Sequence, residues 1–282
     1  MNEILLREQI KNFLNEDIGT GDLSANLIFD RDTVGKGGFV AKTDGVVCGL
    51  FLIKTVYEVY GDYGVKVKLK AKDGDRVKKG DVIAESEGSV ITLLSCERII
   101  LNLMQRLSGI ATISRTLVDN LNDPGIKVVD TRKTLPGLRM LDKYAVTCGG
   151  AFNHRMGLYD GVMLKDNHIA FAGGITKAVK KAKDALGHTV KVEVETETAE
   201  QVKEAVTAGA DIIMFDNRTP EEIKELVKLV PSNIITEASG GITPDTISAF
   251  KGCGVNIIST GYMTHTVTPM DISFNTIGGA KL

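Results

Sequence analysis

Residues 190–244 read VKVEVETETAEQVKEAVTAGADIIMFDNRTPEEIKELVKLVPSNIITEASGGITP, and three times a short apolar run is followed by a helix start. The runs fall near 190–194, 211–215 and 233–236. Thr198 with Gln201 makes a capping box. Thr219-Pro220-Glu221-Glu222 and Thr243-Pro244-Asp245 each offer an N-cap, a proline at the first helical position and early acids. A strand followed by a helix, repeated, implies parallel strands, because only a crossover brings the chain back to the same end of a sheet.

Working outward, further apolar runs stand near 126–129 and 162–164 upstream and 255–258 downstream, six in all. Six strands fall short of the eight of a closed (β/α)8 barrel, so an incomplete α/β, TIM-like barrel is expected. Before residue 110 the pattern changes. From Gly35 to Ile91, runs at Gly38 to Ala41, Val46 to Leu50, Val65 to Leu69 and Val82 to Ala84 alternate with Gly and Asp turns, as in a small, mostly antiparallel sheet. Helical spacing flanks it at 3–15, about 50–60 and about 92–120, the first marked by Ile4, Leu5, Ile10, Phe13 and Leu14. All six prolines stand at or beyond Pro124, which also marks a change of architecture. The expected domains are residues 1–110 and 111–269.

The chain has 282 residues, 43% of them hydrophobic and 25% charged, enough for a large α/β domain and a smaller one without disulfide staples. A formal net charge of -2 supplies no basic field for nucleic acid or anionic lipid, so a small-molecule site is sought. Cys48, Cys96, Cys148 and Cys253 are scattered with no C-x-x-C pair, which fits a reducing compartment. The charged amino terminus is not a secretory signal, and no window is apolar enough to span a bilayer. The cytoplasm is the expected location.

Polar residues stand at the carboxyl end of nearly every predicted barrel strand, the face that carries the active site in such folds. Between Asp130 and Ile169 the chain places Arg132, Lys133, His154, Arg155 and Lys165 around one anion site. Arg pairs with planar oxyanions bidentately and Lys supplies a point charge, so carboxylates and phosphates suit them. Asp130, Asp142, Asp160 and Asp166 offset much of this charge, so placement matters more than a basic field. Glu195 and Asp216 end successive strands and could hold a divalent cation or ribose hydroxyls. In residues 189–197, TVKVEVETE, the alternation sets Val190, Val192 and Val194 against Lys191, Glu193 and Glu195. Lys191 and Glu193 are read there as solvated or ion-paired. Ser239-Gly240-Gly241 joins a strand to a helix start, a natural phosphate cradle, and Ser259-Thr260-Gly261 adds amides and leads to His265. His154, His168, His188 and His265 lack zinc-site spacing, and His188 is read as a surface residue. Asp73 to Ile83 resembles half of a lipoyl or biotinyl carrier motif, but no lysine for cofactor attachment occurs from Asp81 to Ile126.

Taken together these residues resemble the quinolinate phosphoribosyltransferase family. The resemblance rests on Glu16-Asp17-Ile18-Gly19, Gly21-Asp22-Leu23, Glu97-Arg98, Leu101-Asn102 and Ser108 to Thr112. It continues through residues 130–169, Glu195, Asp216-Asn217, Ser239-Gly240-Gly241 and Thr264-His265. It implies an amino-terminal α/β sandwich, rejoined by residues 270–282, and an incomplete barrel. The implied reaction joins quinolinate to phosphoribosyl pyrophosphate (PRPP) with Mg2+, giving nicotinate mononucleotide, pyrophosphate and CO2, a step of NAD biosynthesis. Arg132, His154, Arg155 and Lys165 would surround the quinolinate carboxylates and Lys133 would bind pyrophosphate. Glu195 and Asp216 would serve the ribose and metal, and Ser239, Gly240, Gly241, Gly261 and His265 the 5′-phosphate. The family forms dimers, or dimers assembled further, in which an arginine of the neighbouring subunit completes the site; Arg98 matches it. By itself Arg98 reads as a helix-surface arginine. Tyr262, where the family usually has a small residue, and the less usual Met263 and Thr266 bear on the phosphate contacts.

Three alternatives stand beside this reading: the same scaffold acting on another pyridine carboxylate, a Schiff-base barrel aldolase using Lys133 or Lys165 as nucleophile, and a lipoyl- or biotinyl-like carrier module.

Overall fold

A computed structural model describes residues 1–277; the expected contribution of residues 278–282 to the first domain lies outside the described residues. The chain divides into two compact units. One comprises Met1–Ile113, Pro136–Gly150 and the segment from Val267 onward; the other comprises Ser114–Leu135 and Ala151–Thr266.

The first unit opens with α1 (Glu3–Ile18), whose N-cap Asn2 accepts from the amides of Ile4 and Leu5, and α2 (Leu23–Ile28), capped by Asp22. The buried face of α1 is Leu6, Ile10 and Leu14, one residue every four, while Ile4 and Leu5 are exposed. Then come β1 (Val34–Ala41), β2 (Gly45–Val46), α3 (Phe51–Tyr60), β3 (Lys66–Leu69), β4 (Arg76–Val77) and β5 (Val82–Ser89). The run expected as a strand from Val46 to Leu50 is strand only at its start. Gly49 takes φ 94°, which turns the chain into α3. The 32-residue α4 (Val90–Leu121) follows and belongs to this unit as far as Ile113.

A four-stranded antiparallel sheet is closed by the chain's last strand, Ile272–Thr276, against β1, with Phe39 opposite Phe274 and their ring centroids 4.8 Å apart. Gly37 is required there, because a Cβ would lie 2.1 Å from the Phe274 ring. The segment from Pro136 to Gly150 carries α5 (Arg139–Cys148), preceded in the chain by β6 (Lys127–Val129) of the second unit. Its Asp142, fully buried, takes a two-pronged bond from Arg106 of α4 at 2.9 and 2.7 Å. That carboxylate pairs with Arg106, inside the first unit.

In the second unit β6 is joined by β7 (Val162–Leu164), α6 (Asp166–Ala172), α7 (Ile175–Ala185), β8 (Val192–Thr196), α8 (Ala199–Ala208), β9 (Ile212–Asp216), α9 (Pro220–Val227), β10 (Ile235–Ser239), β11 (Ile257–Ser259) and α10 (Tyr262–His265). The returning Ile272–Thr276 is thus β12. All six strands are parallel, in the order β6-β11-β10-β9-β8-β7. This is a barrel order opened between its first and second strands. Thr198–Gln201 and Thr219–Glu222 form reciprocal capping boxes on α8 and α9. The third expected start yields only a 3-10 turn, Ile247–Phe250: Thr246 Oγ1 accepts the Thr243 amide as in a capping box, but the Thr246 amide bonds the Thr243 carbonyl, an i to i+3 contact, and the two hydroxyls meet each other at 3.2 Å. Val192, Val194, Ile213 and Phe215 are fully buried on the outward faces of β8 and β9. The register puts Glu193, Glu195, Met214, Asp216, Glu237 and Ser239 on the opposite, inner face.

No helix among the described residues is long and apolar enough to cross a membrane.

Candidate active site

The carboxyl ends of all six barrel strands line one cavity of about 620 Å3. Strands from both edges of the sheet meet there, so the sheet is curled despite its open seam. The cavity brings together Arg132, Lys133, His154, Arg155, Lys165, Glu195, Asp216, Ser239, Gly240, Gly241, Gly261 and His265. Arg98 is not among its lining residues; it is exposed on α4 of the first unit.

The cations are held in distinct ways. Lys165 follows β7 and donates to Glu195 Oε2 at 2.5 Å. Arg155 donates through Nη1 to the Gly161 carbonyl at 2.9 Å; burial lowers its pKa, and neighbouring Arg132 lowers it further. An incoming dianion would relieve the unfavourable charge that Arg155 carries there. Thr264 Oγ1 donates to the Lys133 carbonyl at 2.8 Å, and a Cβ on Gly261 would lie 2.9 Å from both Lys133 Cδ and His265 Cδ2. Gly261 therefore makes room for two cavity side chains.

The carboxylates stand on neighbouring strands. Burial raises the Asp216 pKa and the nearby Glu195 charge adds to it, so the two crowd one another. Asn217 Nδ2 donates to Asp216 Oδ2 at 2.6 Å, and the Asn217 amide to the Ser239 carbonyl at 2.9 Å. On the phosphate side, Gly240 and Gly241 take φ 99° and 64°, Ser259 Oγ donates to Ser239 Oγ at 3.0 Å, and Thr260 Oγ1 accepts the Tyr262 amide at 3.1 Å. The helix dipole expected after Gly241 is absent, since only the 3-10 turn follows. The cradle is the glycine turn itself. Tyr262 lines the cavity and its ring meets His265 edge-on, 6.4 Å between centroids.

His154 is tied down on every side. Its amide donates to Asp130 Oδ1 at 2.8 Å, and its Nε2 lies 3.3 Å from Glu193 Oε2 and 3.5 Å from Glu237 Oε2. Burial lowers the imidazole pKa, but the bonds to Glu193 and Glu237 outweigh it and raise it to about 10. The Arg155 amide, 2.7 Å from Nδ1, opposes that rise, because it needs an Nδ1 lone pair. With Nδ1 accepting that amide, the ring proton sits on Nε2, towards the two carboxylates.

A family model described as quinolinate phosphoribosyl transferase, N-terminal domain, matches residues 22–108, and its C-terminal counterpart matches residues 110–275. The chain belongs to the quinolinate phosphoribosyltransferase family. A Bacillus subtilis protein named probable nicotinate-nucleotide pyrophosphorylase (carboxylating) is 54% identical over 275 residues, 98% of this chain and 94% of the relative. The chloroplastic Arabidopsis thaliana protein of that name is 42% identical, covering 95% of this chain and 82% of the relative. Among solved structures, NadC from Streptococcus pyogenes superposes with a TM-score of 0.94 at 40% identity over 99% of each chain.

Three residues of this phosphoribosyltransferase chain are visible in the sequence without the part they play in the site. Asn217 is left-handed at φ 54°, one of two such non-glycine residues among those described. An Asn directly after a strand-end acid is its only signal, since Asn tolerates that conformation. Glu193 and Glu237 are 3% and 1% exposed, inside the barrel. Alternation puts Glu193 opposite the valines, but it does not say that the polar face is the interior. Burial raises the Glu193 pKa, and the side chain meets the His154 ring 3.3 Å away and not solvent.

Proposed function

We infer that the protein transfers the phosphoribosyl group of PRPP to quinolinate and releases pyrophosphate and CO2, producing nicotinate mononucleotide for NAD biosynthesis. The observation that carries this reading is one cavity in which Arg132, Lys133, Arg155 and Lys165 stand with Glu195, Asp216 and a glycine turn.

Arg132, Arg155 and Lys165 bind the two ring carboxylates, His154, expected among them, instead steadies Arg155 because both its ring nitrogens are engaged by protein groups, and Lys133 takes the pyrophosphate. Ser239, Gly240, Gly241, Gly261 and His265 receive the 5′-phosphate. Glu195 and Asp216 fit Mg2+: both offer hard oxygens, and a cation relieves the crowding that raises the Asp216 pKa. When bound, Mg2+ supplies charge neutralisation to the pyrophosphate.

As pyrophosphate leaves, positive charge grows at the anomeric carbon, and the Glu195 and Asp216 carboxylates stabilise it. The ring nitrogen, held in line by the cations on its carboxylates, forms the new bond. The ring is then cationic. It accepts the electron pair of the C2–carboxylate bond, CO2 departs, and a proton takes its place at C2. The protein acts as a dimer, with Arg98 of one subunit entering the other's site; its exposed position on α4 supports this.

Purified protein with Mg2+ and PRPP is expected to form a mononucleotide from quinolinate and none from nicotinate, read by chromatography. Equal turnover of nicotinate overturns the assignment.

A further inference from the structure

The seam between β6 and β7 is not bridged by a strand. The chain crosses it from Ala151 to Gly161 and bridges to β6 at Phe152, whose amide donates to the Val128 carbonyl and whose carbonyl accepts from the Asp130 amide. Beyond Phe152 the segment is held by side chains. Asp160 accepts from the amides of Met156 and Gly157, Asp130 from that of His154. A further tie crosses the barrel interior: His154 Nε2 reaches Glu193 on β8 and Glu237 on β10 at 3.3 and 3.5 Å.

These three side chains bring ligand atoms within 4.8 Å of one another, a spacing that would suit a metal. The tautomer argues otherwise. The Arg155 amide takes the Nδ1 lone pair, so Nε2 carries hydrogen and has no lone pair for a cation. The cluster is a hydrogen-bonded triad. It is also costly: Oε1 of Glu193 and Oε1 of Glu237 are buried without a hydrogen-bond partner among the described residues. Apolar residues in such places generally do no worse for stability, which directs attention to what the glutamates hold.

We propose that Glu193 and Glu237 are positioning residues of the acid-binding site: through His154 they lock residues 153–155 across the barrel seam and keep the Arg155 guanidinium beside Arg132. The inference rests on the diacid reading above. Glu237 shares β10 with Ser239, but that strand is fixed by its ladder to β9 and β11, whereas residues 153–155 depend on the His154 bonds, so loss of the triad falls first on the diacid.

The test is steady-state kinetics on the full-length protein with each glutamate changed to Leu and to Gln. Glu193→Leu and Glu237→Leu are expected to raise KM for pyridine-2,3-dicarboxylate by ~10-fold or more, the scale of one lost bond to a charged group, with KM for PRPP almost unmoved. Glu193→Gln and Glu237→Gln keep an acceptor for the Nε2 hydrogen and recover most of the loss. Equal changes in both KM values, or Leu variants that bind the diacid as the parent does, overturn the proposal. So does Gln behaving no better than Leu. Should a Leu variant fail to fold, His154→Ala with and without Glu193→Gln decides: acting through His154, the second change adds almost nothing, and an independent loss contradicts the proposal. A parent protein that does not bind the diacid would instead refute the functional reading itself.

Discussion

Gly240 and Asn217 show how closely single residues set this cavity. Gly240 takes φ 99°, and a Cβ there would lie 2.1 Å from Asn217 Oδ1, the side chain that grips Asp216. Gly240→Ala is expected to displace Asn217 and lower kcat/KM for PRPP by about 100-fold, the scale of an ångström-sized misplacement. Near-parental kinetics would contradict that role. The cations at strand ends are legible in the sequence, because Arg132, Lys133 and Lys165 follow apolar runs directly. Glu193 and Glu237 are not, because a period of two separates the faces of a strand without saying which face is enclosed. Arg155 and His154 are legible as charges, yet their place in the barrel seam depends on a pairing between strands that no local pattern encodes.

The elements follow local chemistry where capping is complete and depart from it where a side chain offers the backbone another partner. Thr219 and Glu222 exchange bonds with each other's amides at 3.3 and 2.7 Å, and α9 forms. Thr219→Ala is expected to cost about 1 kcal/mol in urea unfolding with catalytic constants unchanged. No loss of stability would show the box to be redundant. At Thr243-Pro244-Asp245 the same letters start no α-helix: the Thr246 amide turns to the Thr243 carbonyl, and the Thr243 hydroxyl meets the Thr246 hydroxyl at 3.2 Å. The α4–α5 link is different in kind. Asp142 is fully buried under Arg106, so Asp142→Ala leaves a guanidinium without this partner, and a loss of about 3 kcal/mol is expected in the same measurement. A change under half that size would mean the pair is easily replaced. Proximity in sequence had counted Asp142 among charges offsetting the anion site; burial assigns it to packing.

For the whole molecule, six βα repeats specify a parallel sheet, and the count itself foretells an incomplete barrel. The seam's location, between β6 and β7, was not legible, since it depends on which strands pair across the closed side. The first unit's antiparallel sheet was legible from alternating runs. Its fourth strand, β12, comes from the far end of the chain, a contact of high sequence separation. The proposed dimer belongs to this scale too. An Arg98→Ala protein and an Arg132→Ala protein, each inactive, are expected to regain activity when refolded together, because one heterodimer site then has both arginines. No recovery in a mixture shown to contain heterodimers would argue that each site is complete within one subunit. The central claim is that one cavity couples phosphoribosyl transfer to loss of the ring's 2-carboxylate. It is tested most directly with quinolinate carrying isotopic carbon in either carboxylate, together with PRPP and Mg2+. Labelled CO2 is expected from the 2-carboxylate alone, mole for mole with nicotinate mononucleotide; absence of CO2, or its release from the 3-carboxylate, would contradict the account.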